Sequence, residues 1–184
     1  MISFEVMRAL ELGLGIPSGS FTERSTPDSS DLRLNNYPEV DLKELTTGSA
    51  RRIWPHTDTG LISLLLQDRV GGLEFEDRKN PGVFLPVCSD VPTNVVLNVA
   101  DTLERWTNGV LKAGVHRVNT PHSMQVSNNS KVAARSSIVF FFRANGAASA
   151  GPLDSFMTLQ RPARYSEITA LEYLQQRNST LYAY

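Results

Sequence analysis

Trp54-Pro55-His56-Thr57-Asp58-Thr59-Gly60, running without a break into Leu61-Ile62-Ser63-Leu64-Leu65-Leu66-Gln67-Asp68, is the stretch on which the reading of this chain turns. The chain has three histidines, and one of them sits two residues from a carboxylate at the head of an apolar run. In an extended strand, residues i and i+2 point to the same side, so His56 and Asp58 face one way while Thr57 faces the other. That makes the pair a metal-binding edge if a third ligand comes from elsewhere. The plainer alternative is that Asp58 shapes the turn at Gly60.

Working outward, the same kind of segment recurs: 31–38 (DLRLNNYP), 60–68, 72–77 (GLEFED), 83–87 (VFLPV), 93–100 (TNVVLNVA), 111–118 (LKAGVHRV) and 136–144 (SSIVFFFRA). Each is short, is bounded by Gly, Pro, Asn or Asp, and several are rich in β-branched and aromatic residues. With no helix expected between them, they predict an antiparallel sandwich, jelly roll or barrel. Gly71-Gly72, between 60–68 and 72–77, suggests a hairpin joining those two strands. The three phenylalanines 140–142 cannot all face inward and are read mainly as packing.

Helices are expected only at the ends. Residues 1–17 read as a helix with Ser3 as a candidate cap, Met7, Leu10 and Leu14 on one face, and Gly13, Gly15 and Pro17 as its stop. Residues 18–31 are a polar, Ser/Thr-rich loop. Near the other end Thr169 and Glu172 form a capping-box pattern ahead of Leu171 and Leu174. The organisation expected is therefore an N-terminal helix (1–17), a β core (31–145) and a C-terminal extension with a helix (146–184).

Composition narrows the function. The chain has 184 residues, 41% hydrophobic and 20% charged, with 18 basic against 19 acidic side chains. No basic block recruits a phosphate backbone or an anionic membrane, so neither nucleic acid nor a membrane is an expected partner. A lone cysteine, Cys88, excludes an internal disulfide and a Cys-rich metal cluster, and fits a reducing, cytoplasmic compartment. The first residues lack the basic start and long apolar run of a secretion signal or a membrane span.

His116 is isolated in a strand-like segment, 58 positions after Asp58, far enough to lie on a partner strand. Two imidazoles and one carboxylate on one face of a metal are the ligand set of non-haem Fe(II) oxygenases, although a zinc hydrolase can use the same residues. His122, in a Pro- and Ser-rich loop, is read as solvated. Arg135 and Ser137 enter the most apolar strand on one face, a planar fork plus a hydroxyl that suits a carboxylate; the alternative is a charge at a sheet edge.

Five segments, LRLNNYP (32–38), HTDTGLISLLLQD (56–68), VGGLEFED (70–77), NVVLNVADTLERWTNGVLKAGVHRV (94–118) and RSSIVFFF (135–142), together resemble the iron- and 2-oxoglutarate-dependent dioxygenases of the isopenicillin N synthase-like superfamily, in that family's order. The resemblance runs from about residue 5 to residue 178 and implies a double-stranded β-helix (jelly-roll) core, mainly β, with flanking helices. It implies His56, Asp58 and His116 as Fe(II) ligands, Arg135 and Ser137 as the clamp for the C5 carboxylate of 2-oxoglutarate, and Tyr37 and Asn35 as further contacts to that cosubstrate. Asp101, Asn108 and Gly109 are implied to be structural. The implied reaction consumes dioxygen and 2-oxoglutarate to hydroxylate, desaturate or close a ring in a small organic substrate, of the kind made in fungal secondary metabolism.

Alternatives within and beyond that family are a 2-oxoglutarate-independent iron oxidase and a catalytically inactive remnant. Family members carry an N-terminal region ahead of the segment matching residue 1, so the chain is read as a shortened or truncated relative. Arg135 stands 19 positions after His116, longer than is usual there, which implies an extended hairpin loop tolerated because closure entropy grows slowly with length. Ala100 replaces a usual glycine.

Overall fold

The computed structural model describes residues 2–87, 91, 93–121 and 130–181. Cys88 and His122 lie outside the described residues, as does most of the expected loop between His116 and Arg135. The elements in chain order are α1 (Ile2–Leu14), β1 (Asp31–Tyr37), β2 (Val40–Asp41), α2 (Leu42–Thr47), β3 (Ile53–His56), β4 (Ile62–Gln67), β5 (Leu73–Glu76), β6 (Phe84–Pro86), β7 (Val96–Val99), α3 (Asp101–Trp106), β8 (His116–Val118), β9 (Lys131–Val132), β10 (Arg135–Phe142) and α4 (Ala170–Leu181), with single 3-10 turns at Glu23–Ser25 and Asp154–Phe156.

Two four-stranded sheets, β1-β10-β4-β7 and β3-β8-β5-β6, form the body, and β2 and β9 make a separate two-stranded ribbon. Every pairing is antiparallel, and the inner faces of the two sheets line one cavity. This is the jelly-roll core that the resemblance implies, one of the arrangements left open by the strand spacing.

The expected hairpin between the strands at 62–67 and 73–76 does not form. Both edges of β4 are taken, by β10 and β7, and β5 pairs with β6 and β8 in the other sheet. Gly71 and Gly72 do adopt positive φ (81° and 89°), but they carry the chain across the sandwich instead of folding it back. A side chain at Gly72 would meet the Asn119 carbonyl at 2.5 Å, so the crossover needs glycine there. The strands are also not uninterrupted by helix: α2 and α3 stand between them. At six residues each they are too short to impose a 3.6-residue period on the sequence.

Most of the packed core lies outside the sandwich. Met7 of α1 joins Phe21, Leu61, Ile62, Leu103, Trp106, Phe142, Ala144, Leu153 and Phe156, with Phe4, Leu10, Leu14, Leu64 and Phe140 against them. Along β10 the phenylalanines divide: Phe141 lines the cavity, while Phe140 and Phe142 pack outward towards α1. Ser3 is not a cap; it sits within α1, buried, its Oγ without a hydrogen-bond partner. Glu11, also buried, accepts the backbone N–H groups of Gly19, Phe21 and Thr22 and ties the following loop to α1.

The capping box at α4 forms as read: Glu172 N–H donates to Thr169 Oγ1 and Thr169 N–H donates to the Glu172 carboxylate. The far half of the outer sheet face, with Leu32, Leu34, Leu66, Leu97 and Ile138, is left exposed.

Trp106 is fully buried, stacks on Phe21 at 5.9 Å and donates its indole N–H to the Ser149 carbonyl. Trp106→Ala is expected to cost about 3–5 kcal/mol in urea unfolding, whereas Leu34→Ala, at a side chain 73% exposed, is expected to change stability by less than about 0.5 kcal/mol. Equal losses at the two positions would contradict this placement of the core.

Candidate metal and cosubstrate site

The cavity between the sheets is lined by alternate residues of the inner strands: Arg33, Asn35 and Tyr37 on β1; Ser63 and Leu65 on β4; Val96 and Asn98 on β7; Arg135, Ser137, Val139 and Phe141 on β10. All seven residues singled out from sequence, His56, Asp58, His116, Arg135, Ser137, Tyr37 and Asn35, line it together.

His56 and His116 are brought face to face because β3 and β8 pair with these two residues in register, leaving their ring centroids 4.3 Å apart. Each ring places Nδ1 against a backbone carbonyl, Trp54 O at 2.8 Å for His56 and Gly114 O at 3.0 Å for His116. A carbonyl only accepts, so each Nδ1 carries the proton and each Nε2 presents a lone pair. Both Nε2 atoms point to Asp58 Oδ1, at 3.6 Å and 3.7 Å. The three ligand atoms lie within 4.8 Å of one another, a facial donor set suited to a divalent ion such as Fe(II).

The other carboxylate oxygen is held from the opposite sheet. Asp58 Oδ2 accepts from Ser63 Oγ at 2.5 Å and Asn98 Nδ2 at 3.2 Å. Neither residue was marked by sequence reading; the signal was a polar residue at an inward position of an otherwise apolar strand in each case. Gly114 makes room for this contact, since a Cβ there would collide with Asn98 Oδ1 and with the Phe75 ring.

Burial would raise the Asp58 carboxyl, but its hydrogen bond to His56, the charge of His116 and the Ser63 hydroxyl hold it at about 2. Burial lowers His116. Burial also opposes the charged form of His56, yet the Asp58 carboxylate and the Trp54 carbonyl outweigh it and raise its pKa.

The second cluster lies farther along the same inner face. Ser63 pairs across β4 and β10 with Phe141, and Gln67 with Ser137, so the second cluster begins two inward positions along β4 from the residue that holds Asp58. Arg135 is fully buried. Its Nε donates to the Gly71 carbonyl (3.0 Å), its Nη2 to Gln67 Oε1 (2.8 Å) and its Nη1 to Ser137 Oγ (3.2 Å), with the Tyr37 ring 5.2 Å away. No carboxylate comes within 4 Å of it among the described residues. Burial lowers the Arg135 pKa and raises that of Tyr37; the guanidinium remains charged and the phenol protonated at neutral pH.

Asn108 and Gly109, read as structural, form a tight turn at φ 50° and 81°, and buried Asn108 donates to the Phe156 and Pro162 carbonyls while accepting Arg164 N–H. Asp101 does more than shape a turn, since its N–H donates to the Asp58 carbonyl and its carboxylate meets α4.

A sequence model described as "2OG-Fe(II) oxygenase superfamily" matches residues 29–144. The chain is 47% identical over 177 residues to the 2-oxoglutarate-dependent dioxygenase phqC of Penicillium fellutanum, covering 96% of this chain and 50% of that protein. It is 49% identical to the 2-oxoglutarate-dependent dioxygenase imqE of Aspergillus flavus, covering 97% of this chain and 49% of the relative. The chain thus spans about half the length of the curated relatives it matches. Among solved structures, a full-length Neurospora crassa protein in complex with alpha-KG superposes with a TM-score of 0.85 at 31% identity, over 98% of this chain and 53% of that one; the complex of the same protein with alpha-KG and thymine gives the same values.

The Asp58 carboxylate raises the pKa of His56, so a proton on its Nε2 competes with a metal for that lone pair. Since the His56 pKa is raised, that proton is retained to higher pH and competes more strongly as pH falls. Divalent-metal affinity is therefore expected to rise from about pH 6 to about pH 8. Isothermal titration across that range checks it, and a pH-independent affinity would contradict it.

Proposed function

The chain belongs to the 2OG-Fe(II) oxygenase superfamily, and from that premise we propose that it binds Fe(II) through His56, Asp58 and His116 and 2-oxoglutarate through Arg135 and Ser137, as part of an enzyme that oxidises a small organic molecule. The observation that carries this is Arg135. A buried guanidinium with no directly paired carboxylate costs several kcal/mol; Asp68 acts on this one only at a distance, and it shares a cavity with the triad. A dicarboxylate bound at the metal by one end supplies the missing charge with the other.

The roles follow from position. Ser137 orients the Arg135 fork, the protonated Tyr37 hydroxyl is the third donor at the carboxylate end, and Asn35, paired across the sheet with Ser137, lines the path between. Leu65, Leu73, Val118 and Val139 keep that path dry. When bound, Fe(II) couples oxidative decarboxylation of 2-oxoglutarate by dioxygen to oxidation of a substrate C–H bond.

Residues 31–145 are the catalytic core in this reading. The substrate is a fungal secondary metabolite, supported by the kind of relatives found, and the outcome is hydroxylation, desaturation or ring closure. The protein is placed with the isopenicillin N synthase-like enzymes on the five segments noted above, and in the cytoplasm on its composition. No helix among the described residues is long and apolar enough to cross a membrane.

Anaerobic Fe(II) plus 2-oxoglutarate is expected to give the visible metal-to-ligand absorption of a chelated keto acid, and air is then expected to release succinate slowly without substrate. Arg135→Ala should weaken 2-oxoglutarate by about 2–5 kcal/mol, at least about 30-fold, with metal affinity retained. Absorption that saturates at the same 2-oxoglutarate concentration in Arg135→Ala sinks the clamp. A chain that binds no iron sinks the function and favours an inactive remnant, and substrate oxidation that ignores 2-oxoglutarate favours the independent oxidases.

A further inference from the structure

We infer that Arg177, on the C-terminal helix, is a positioning residue for the metal-ligand turn: it grips Thr57, the link between His56 and Asp58. The inference rests on the reading of His56, Asp58 and His116 as metal ligands.

The need for such a grip comes from where β3 stops. The strand ends at His56, and Thr57 and Asp58 lie outside regular structure, so strand pairing does not place Asp58. Its carboxylate is held by Ser63 and Asn98, and its carbonyl accepts Asp101 N–H at 2.9 Å. Thr57 is the remaining degree of freedom, and rotation there would swing Asp58 Oδ1 away from both imidazoles.

Arg177 closes it. Its Nη2 donates to Thr57 Oγ1 at 3.0 Å, across 120 positions of sequence, and its Nε lies 3.1 Å from Asp101 Oδ2. The Thr57 hydroxyl donates to the Asp101 carboxylate, which also accepts Tyr173 Oη at 3.1 Å. Tyr173 and Arg177 are four residues apart on α4, one turn of the same face. Arg105 stacks over the Tyr173 ring at 4.6 Å and donates to the Ala150 and Ser166 carbonyls, so the network is anchored to α3 and to the segment leading into α4.

The first turn of the helix is tied by Ala170 and Leu171 N–H to the Ala148 and Gly146 carbonyls, and its later turns meet the site through side chains. None of its described side chains is fully buried, and the polar contacts to Asp101 and Thr57 are its tie to the site. Asn178, next to Arg177, lines the metal cavity. One turn of helix therefore touches both the ligand turn and the cavity.

Removing a residue that orients a metal ligand typically costs 10–100-fold in metal affinity. Charge alone predicts the opposite here, since deleting a cation near a dication site should strengthen binding. A loss of affinity in Arg177→Ala is thus a signature of positioning.

The test uses the full 184-residue chain with Co(II), read by its visible d–d spectrum and by titration, for wild type, Arg177→Ala, Thr57→Val and the double variant. The expected result is about 10-fold or greater weakening with an altered d–d band in each single variant, and a double variant no weaker than the worse single one, because both changes break one contact. Wild-type affinity in Arg177→Ala, or fully additive losses, would overturn the inference. Should Arg177→Ala fail to fold, wild-type affinity in Thr57→Val alone overturns it. A wild-type chain that takes up no cobalt overturns the metal reading itself, and the inference with it.

Discussion

One carboxylate, Asp58, joins the two layers of the molecule. Its Oδ1 faces His56 and His116 from one sheet, and its Oδ2 is bonded by Ser63 and Asn98 from the other. A buried carboxylate survives only when its oxygens are satisfied and its charge is balanced, so both sheets must stand at the spacing that satisfies it. The tight approach of Gly114 to Asn98 and the register of His56 against His116 serve that requirement. The same contacts keep Asp58 charged, while burial favours neutral His116, the states a divalent metal needs.

The structure separates stability from chemistry. The buried hydrophobic cluster around Trp106, Phe21 and Phe142 lies behind the β1-β10-β4-β7 sheet against α1, while the space between the sheets is given over to a polar-floored cavity. β10 belongs to both regions: its odd-numbered residues from Arg135 to Phe141 line the cavity, while Phe140 and Phe142 anchor the core. That division follows from the two-residue period of a strand. The outer face beyond α1 keeps Leu32, Leu34, Leu66, Leu97 and Ile138 exposed, in a chain that spans about half the length of its relatives.

Strand spacing and turn residues were enough to read a mainly β sandwich with terminal helices, because an amphipathic strand or a capped helix is a local pattern. Met7, Leu10 and Leu14 on one helical face and the Thr169–Glu172 box needed no partner to be recognised. The Gly71-Gly72 turn misled for a physical reason: two positive-φ residues permit a hairpin but also a crossover, and only the occupation of both β4 edges selects the second. The six-residue helices α2 and α3 owe their form to packing and left no periodic trace.

The sequence by itself determined the residue types of the site, His56, Asp58, His116, Arg135 and Ser137, because ligand chemistry is written into the chain and their order carried the family resemblance; i, i+2 alternation holds for Arg135 and Ser137 on β10, whereas Asp58 lies past the end of β3. Tertiary structure decided which neighbours hold them. Ser63, Asn98 and Gln67 meet Asp58 and Arg135 through sheet register, and Arg177 reaches Thr57 across 120 positions. Such contacts depend on long-range pairing between elements that local propensity does not encode, so they became visible only once the two sheets and the last helix were in place.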